Sequence, residues 1–458
     1  MNRRLTLASS VAGAVVVALD GTVLTIAQPT LQRDLDASFA QVQWTTTGYL
    51  VAVAALLVFA GRLGDLYGHR RLFGLGMLGF AAASAGIGLA PGIGWVIALR
   101  VAQGVFGALL QPATLGMLRA AYPPDRLRRP LAVRTAAIGV AAAAGPLLGG
   151  VLVTELGWRA VFFAQVAPAA LFGLLALATR RPEPPRTAVR LDLPGALLLA
   201  LTLAALVHGL AGVADSGGLA AAAPALEVAV VAGMVFVRHE RRTAHPLLPA
   251  DVIRSASVGS ALGVLIAASA ALHGTLFVCV YLLQDTLGLT PFQTALRSLP
   301  LAVFMIAAAP VCAVLLRRSG ARRTTVTAML VLASGVAILS TASAPLPLCT
   351  GFALVGAGFG TVMVAATHVV VRHAPAESAG VAGGLQQTAL NTGPALGVAA
   401  ATLLIHVGSL RTPLLVLALL GAVAAVMGGA LPGRAAAKAE ERPERGGATA
   451  ATAGREAG

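Results

Sequence analysis

Charge is what this chain has least of. Only 11% of its 458 residues are Asp, Glu, Lys or Arg, against about a quarter in ordinary globular proteins. So few charges cannot clothe a water-facing surface, which excludes a soluble enzyme and also a disordered or coiled-coil chain. Cysteine is scarce too. Cys279, Cys312 and Cys349 sit singly in or beside apolar runs, so neither a disulfide framework nor a C-x-x-C metal or redox centre is expected. Aromatic residues make up 5% of the chain, and lysine occurs once, as Lys438. What fills the space is apolar: 57% hydrophobic residues and a mean hydropathy of +0.84. A bilayer core of about 30 Å takes roughly 20 such residues per helix, and runs of that length recur throughout. The fold class expected is an all-α polytopic membrane protein.

Breaking the runs at charges and at Pro/Gly turns predicts about fourteen spans. The first covers residues 7–27, the fourth 93–118, the fifth 131–153, the tenth 295–316, the eleventh 324–341 and the thirteenth 381–406. The connections are too short for a soluble domain. Arginine sets the orientation. With Met1–Arg4 cytoplasmic, the same side holds Arg62, Arg70 and Arg71, then the group Arg126, Arg128, Arg129 and Arg134. Arg317, Arg318, Arg322, Arg323 and Arg372 also fall there, whereas the opposite side has only Arg33, Arg159, Arg297 and Arg411. Both termini are therefore expected in the cytoplasm of a cell-membrane protein. The net charge of +15 then reflects topology and anionic lipid headgroups, with no call for nucleic acid. Residues 432–458 are rich in Ala, Glu, Arg and Gly without apolar periodicity, and a disordered cytoplasmic tail is expected there.

The chain repeats itself. Gly68-His69-Arg70-Arg71 after span two is echoed by Gly320-Ala321-Arg322-Arg323 after span ten. Phe106-Gly107 in span four is echoed by Phe359-Gly360 in span twelve, and Gly145-Pro146 in span five by Gly393-Pro394 in span thirteen. Six spans recurring in one orientation imply two parallel bundles with a binding site between them. The expected division is a six-helix bundle at 1–180, an inserted helix pair with its linkers at 181–254, and a second six-helix bundle at 255–431.

Polar residues are few enough inside the spans for each to need a reason. Asp20 costs about 2.5–3.5 kcal/mol or more at bilayer depth while ionised; it either exchanges a proton or sits in a fixed ion pair that only holds helices together. Arg100 in span four lies about as far from its helix end as Asp20 does, roughly seven residues or ~10 Å, so the two fit one depth. Arginine keeps its proton and would hold Asp20 ionised when near. Thr22, Thr25, Gln103, Gln284, Gln386, Gln387 and Asn391 need a neighbouring helix or a wet cavity and are the candidate substrate contacts. Gly61, Gly64, Asp65, Gly68, Arg70 and Arg71 make a compact turn after span two, read as a cytoplasmic latch or as a solvated loop. Gly145, Pro146, Gly149 and Gly150 suit a hinge or seal, or simple close packing. Tyr281 is read as an exit lining or an interfacial belt residue. His208, His273 and His368 are read as satisfied helix contacts. No nucleophile triad, phosphate loop or metal spacing suggests bond-making chemistry.

Taken together, these motifs resemble the major facilitator superfamily, and within it the fourteen-helix drug:proton antiporters. Gly61–Leu72 resembles the loop motif between helices two and three, and Arg100–Gly107 the arginine motif of helix four. Gly145-Pro146 through Gly150 resembles the antiporter motif of helix five. Leu19-Asp20 with Thr22 and Pro29 resembles the first-helix motif. The sequence departs from these patterns at Leu66 and His69, where the loop motif has basic residues, at Ala132 and Ala141, and at Thr25, where asparagine is usual. The resemblance implies that Asp20 and Arg100 take part in proton coupling and that Gly145 and Pro146 restrict leak. It implies export of lipophilic drugs or antibiotics in exchange for protons by alternating access, with a dedicated exporter of one metabolite or lipid precursor as the alternative. The expected partners are a small-molecule substrate, protons and membrane lipids, with no cofactor beyond the proton gradient, and the chain is expected to be monomeric.

Overall fold

The computed structural model describes residues 3–123, 126, 128–178, 192–214, 218–243, 255–373, 379–407, 409–429 and 431, nearly all of them helical and with no strand among them. The first eight helices are α1 (Arg3–Asp34), α2 (Phe39–Tyr67), α3 (His69–Gly88), α4 (Ile93–Ala121), α5 (Arg128–Leu156), α6 (Trp158–Ala178), α7 (Leu193–Ala214) and α8 (Gly218–Arg242). Helix α9 (Ala256–Tyr281) runs directly into a π-turn at Leu282–Thr286. The next stretch, Pro291–Thr341, has 51 residues, about 77 Å at 1.5 Å per residue and more than twice a bilayer core. Gly320 breaks it (φ 76°, ψ 170°), leaving arms at 291–319 (α10) and 321–341 (α11). The chain ends in α12 (Pro345–His373), α13 (Ala379–Val407) and α14 (Thr412–Gly428). These are the fourteen spans of a multi-pass membrane protein; among the described residues ten stretches, with α10 and α11 counted as one, are long and apolar enough to cross. The expected tail at 432–458 lies outside the described residues.

The helices outrun the apolar stretches that mark them. Helix α1 continues past residue 27 through Pro29 to Asp34 and has 32 residues, so about 48 Å of helix projects one end beyond the bilayer core. Single glycines, rather than loops, join α2 to α3 and α10 to α11. Gly68 (φ 93°) and Gly320 (φ 76°) both occupy positive φ, where a Cβ is strained. The helices entering these two hairpins start alike. The Ser38 side chain accepts from the Gln41 amide, and Gln41 Oε1 accepts in return from Ser38 N; Thr290 and Gln293 repeat this reciprocal box at α10.

Packing repeats as well. Helix α1 lies on α5, α2 on α4, and α3 on α4 and α6; correspondingly α9 lies on α13, α10 on α12, and α11 on α12 and α14. A Cβ on Gly104 of α4 would collide with the Tyr49 carbonyl of α2, and one on Gly356 of α12 with the Leu301 carbonyl of α10. The halves meet where α2 packs on α13 and α5 on α10, while α7 seats against both α2 and α13 and carries α8. Outward-facing side chains such as Val230, Met234, Leu419 and Val426 are exposed and apolar, as a lipid-facing belt requires.

Candidate functional site

Five helices of the first half converge on one buried polar knot. Arg100 and Asp20 are each 1% exposed, and Arg100 Nη1 donates to Asp20 Oδ2 at 2.7 Å and to Oδ1 at 2.9 Å. The two residues placed at one depth by helix rise are therefore in contact. Arg100 Nε donates to the Thr45 carbonyl of α2 at 2.8 Å, and Nη1 also reaches Gln103 Oε1, one turn along α4. Gln103 Nε2 donates to Ser84 Oγ of α3 at 2.8 Å. Gln165 Nε2 of α6 donates to Asp20 Oδ1 at 3.4 Å. The guanidinium also lies 4.5 Å from the Tyr49 ring centroid, a cation–π arrangement. Thr45, Tyr49, Ser84 and Gln165 carried no signal in the sequence, because single polar or aromatic residues are common in spans. The pair belongs to the first half alone: α9 and α12 contain no acid, and in the register of the Phe106-Gly107 and Phe359-Gly360 echo Ala353 stands where α4 has Arg100.

The knot forms part of the wall of a cavity of about 350 Å³ lined by α1, α2, α4, α5, α9 and α13. Of the expected substrate contacts, Thr22, Thr25, Gln387 and Asn391 line it. The other three are engaged elsewhere. Gln103 is tied to Arg100 and Ser84. Gln386 donates to Thr367 Oγ1 of α12. Gln284 is buried at the end of the molecule remote from the arginine-rich connections, where it donates to the Ile26 carbonyl across the two halves at 3.1 Å. Arg134, grouped above with the cytoplasmic-side arginines and inside the expected fifth span, lies in α5 one to two turns from its start and lines the cavity. Cavity-lining Gln28, which the sequence also left unmarked, donates to Thr46 Oγ1 at 2.8 Å.

The antiporter-like glycines pack against α1 beside the carboxylate. A Cβ at Gly145 would fall on the Thr22 hydroxyl, one at Gly149 would meet Val23, and one at Gly150 would meet Pro291 and Phe292 of α10. Pro146 is accommodated inside a continuous α5. At this same remote end, Arg33 pairs with Asp285 at 3.5 Å and Tyr281 packs on Phe39 with ring centroids 4.8 Å apart. Tyr281 is fully buried between the halves and so is not an interfacial belt residue. These contacts close that end, while the cavity extends towards the arginine-rich end as far as Thr114 and Arg134.

The Gly61–Arg71 turn is compact. His69 fills a notch between Gly64 and Gly116, Arg70 Nη1 donates to the Ala176 carbonyl near the end of α6 at 2.7 Å, and Arg71 is exposed. The departure at His69 thus closes packing in the turn. The Asp65 side chain lies outside the described residues. His273 Nδ1 bonds the Ser269 carbonyl of its own helix at 2.9 Å while lining the cavity, and His208 lies beside Trp44. Glu227 is exposed. No His/Cys/Asp/Glu cluster among the described residues suits a metal.

The sequence profile of the Major Facilitator Superfamily matches residues 11–389 and again 260–456. The chain is 41% identical over 403 residues to the tetracenomycin C resistance and export protein of Streptomyces glaucescens, covering 86% of this chain and 74% of that protein. It is 36% identical over 398 residues to the puromycin resistance protein pur8 of Streptomyces alboniger, covering 85% and 79%. Its fold resembles a bacterial homologue of the human lysosomal transporter Spinster, crystallised inward-facing and unoccupied, with a TM-score of 0.66 at 15% identity over 93% of this chain and 96% of that one. A repeated fourteen-span architecture, a cavity between its halves and these matches agree: the chain belongs to the Major Facilitator Superfamily.

Proposed function

We propose that the chain is a proton-driven exporter of lipophilic small molecules in a cell membrane, with both termini cytoplasmic and the two halves rocking about the central cavity. The observation carrying this reading is the set of partners around Arg100. When Asp20 is ionised, the pair is electrostatically satisfied. When Asp20 takes a proton, Arg100 keeps the Thr45 carbonyl, the Gln103 amide oxygen and the Tyr49 face, all of which accept a guanidinium without a counter-charge. The site is therefore built to hold the arginine in either protonation state of its neighbour, which a purely structural ion pair would not need. Asp20 also sits on the helix that meets the π-turn after α9 through Gln284 and Ile26, a continuous path from the carboxyl to the closed end.

Names among the relatives point to antibiotics as cargo, and a compound-by-compound resistance panel in a pump-deficient host separates a dedicated exporter from a broad one. With 100 mV and one pH unit, each proton supplies about 2.3 plus about 1.4 kcal/mol, roughly a several-hundredfold gradient of neutral cargo. The test uses cells preloaded with a fluorescent lipophilic dye under an imposed proton gradient. Wild type lowers the dye, whereas Asp20→Asn at equal membrane abundance retains it. Export by Asp20→Asn at the wild-type rate refutes proton coupling through this residue.

A further inference from the structure

Among the described residues, no Asp or Glu lines the cavity. Its charged side chains are two arginines, and they are not equivalent. Arg100 is matched by Asp20. Arg134 enters from α5 with no such match: Nη2 donates to Thr114 Oγ1 at 3.0 Å, Nε is buried without an acceptor, and no acid among the described residues lies within ion-pair distance. The Thr114 hydroxyl gives its own proton to the Gln111 carbonyl at 2.8 Å, so it is held as an acceptor for Arg134 and cannot donate to it. An unpaired guanidinium in a membrane interior is costly, and arginine does not escape the cost by losing its proton. Such a group is retained where something else brings the negative charge.

We propose that Arg134 is the anion-recognition residue of the cargo cavity, and that the cargo is a lipophilic molecule bearing one ionised acidic oxygen: an enolate, phenolate or carboxylate. The planar fork of guanidinium N–H groups matches such oxygens, and donors to a charged acceptor bind more strongly than donors to a neutral one. Gln387 and Asn391, on the opposite half, line the same cavity, so cargo held by Arg134 is contacted from both bundles. This assignment deepens the export reading and rests on it.

The test pairs the hydroxynaphthoquinone lawsone, ionised at neutral pH, with its uncharged methyl ether. Equilibrium dialysis of the purified full chain is expected to show lawsone bound about tenfold more tightly than the ether. Arg134→Gln is expected to weaken lawsone about tenfold and the ether far less, while Arg134→Lys, which keeps the charge, retains most of the preference. Equal wild-type affinity for the two compounds, or equal loss of both in Arg134→Gln, overturns the assignment. Vesicle transport of both compounds separates this failure from the broader one. Gradient-driven export of the ether with no preference for lawsone removes the anion assignment and leaves the exporter. A lawsone preference in dialysis with no gradient-driven movement of either compound removes the exporter and keeps the Arg134 site.

Discussion

Arg100 ties Asp20, Gln103 and the Thr45 carbonyl into one buried knot, and its geometry discriminates between substitutions that look alike. Lysine keeps the charge, but a single ammonium cannot reach the Thr45 carbonyl and the Asp20 carboxylate while lying flat on Tyr49. Arg100→Lys is therefore expected to reach the membrane in normal amount and lose at least about tenfold of its gradient-driven export, measured as initial dye efflux. Arg100→Ala is worse, because it strands a buried carboxylate together with Gln103; such losses typically cost about 3–5 kcal/mol, visible as a lower melting temperature in detergent. The shared depth of Asp20 and Arg100 was legible in advance because helix rise converts sequence position into depth; their contact was not, because an arginine at that depth can equally bond backbone carbonyls or reach outward. The pair's neighbours were not legible. Thr45 contributes a backbone carbonyl, which has no sequence signature, and Gln165 on α6 reaches Asp20 across 145 positions of chain. Arg134 fell inside the expected fifth span but was used only to orient it, because its place on the cavity side of α5 depends on packing that the sequence does not display.

At the scale of helices, close approach is set by which glycines have room for a methyl group. Gly145 has none, since its Cβ would displace the Thr22 hydroxyl, whereas Gly139 on the same helix is 3.8 Å from its nearest neighbour, Ile306. Gly145→Ala is expected to push α5 off α1 beside the carboxylate and increase proton leak through vesicles; Gly139→Ala, made in parallel, is expected to match wild type. Equal leak in both variants would show that helix propensity, not this contact, is being measured. The turn glycines give a second comparison. Gly68 and Gly320 hold φ of 93° and 76°, regions that cost an alanine about 1–3 kcal/mol. Alanine at either is expected to lower the melting temperature by a similar amount, because the two hairpins do the same work in the two halves. The glycine repeat was readable from the sequence, and so in principle was the Ser38/Gln41 and Thr290/Gln293 pair of caps. That one glycine alone separates α10 from α11 was not, because a single positive-φ residue replaces the loop that a charged Gly/Arg run suggests.

For the whole molecule, the consequence of two like-packed halves is that one end of the cavity can close only by bringing them together. At the end remote from the arginine-rich connections this is done by Arg33–Asp285, Gln284–Ile26, Phe39–Tyr281 and the contact of Gly150 with α10. None of these is strong alone. An exposed ion pair is worth about 0–1 kcal/mol and a net hydrogen bond about 0.5–1.5 kcal/mol, so the closure is easily reversed, as a carrier requires. Rocking then predicts that covalent closure stops transport. Cysteines introduced at Arg33 and Asp285 and joined by a short bifunctional thiol reagent are expected to abolish dye export. If the joining reagent carries a reducible bond, export should return on its reduction. The native cysteines give little background, since Cys279 and Cys312 are buried and Cys349 can be replaced by serine beforehand. Undiminished export from the crosslinked protein would mean that this end never has to open, and that cargo leaves by a route other than the interface between the halves.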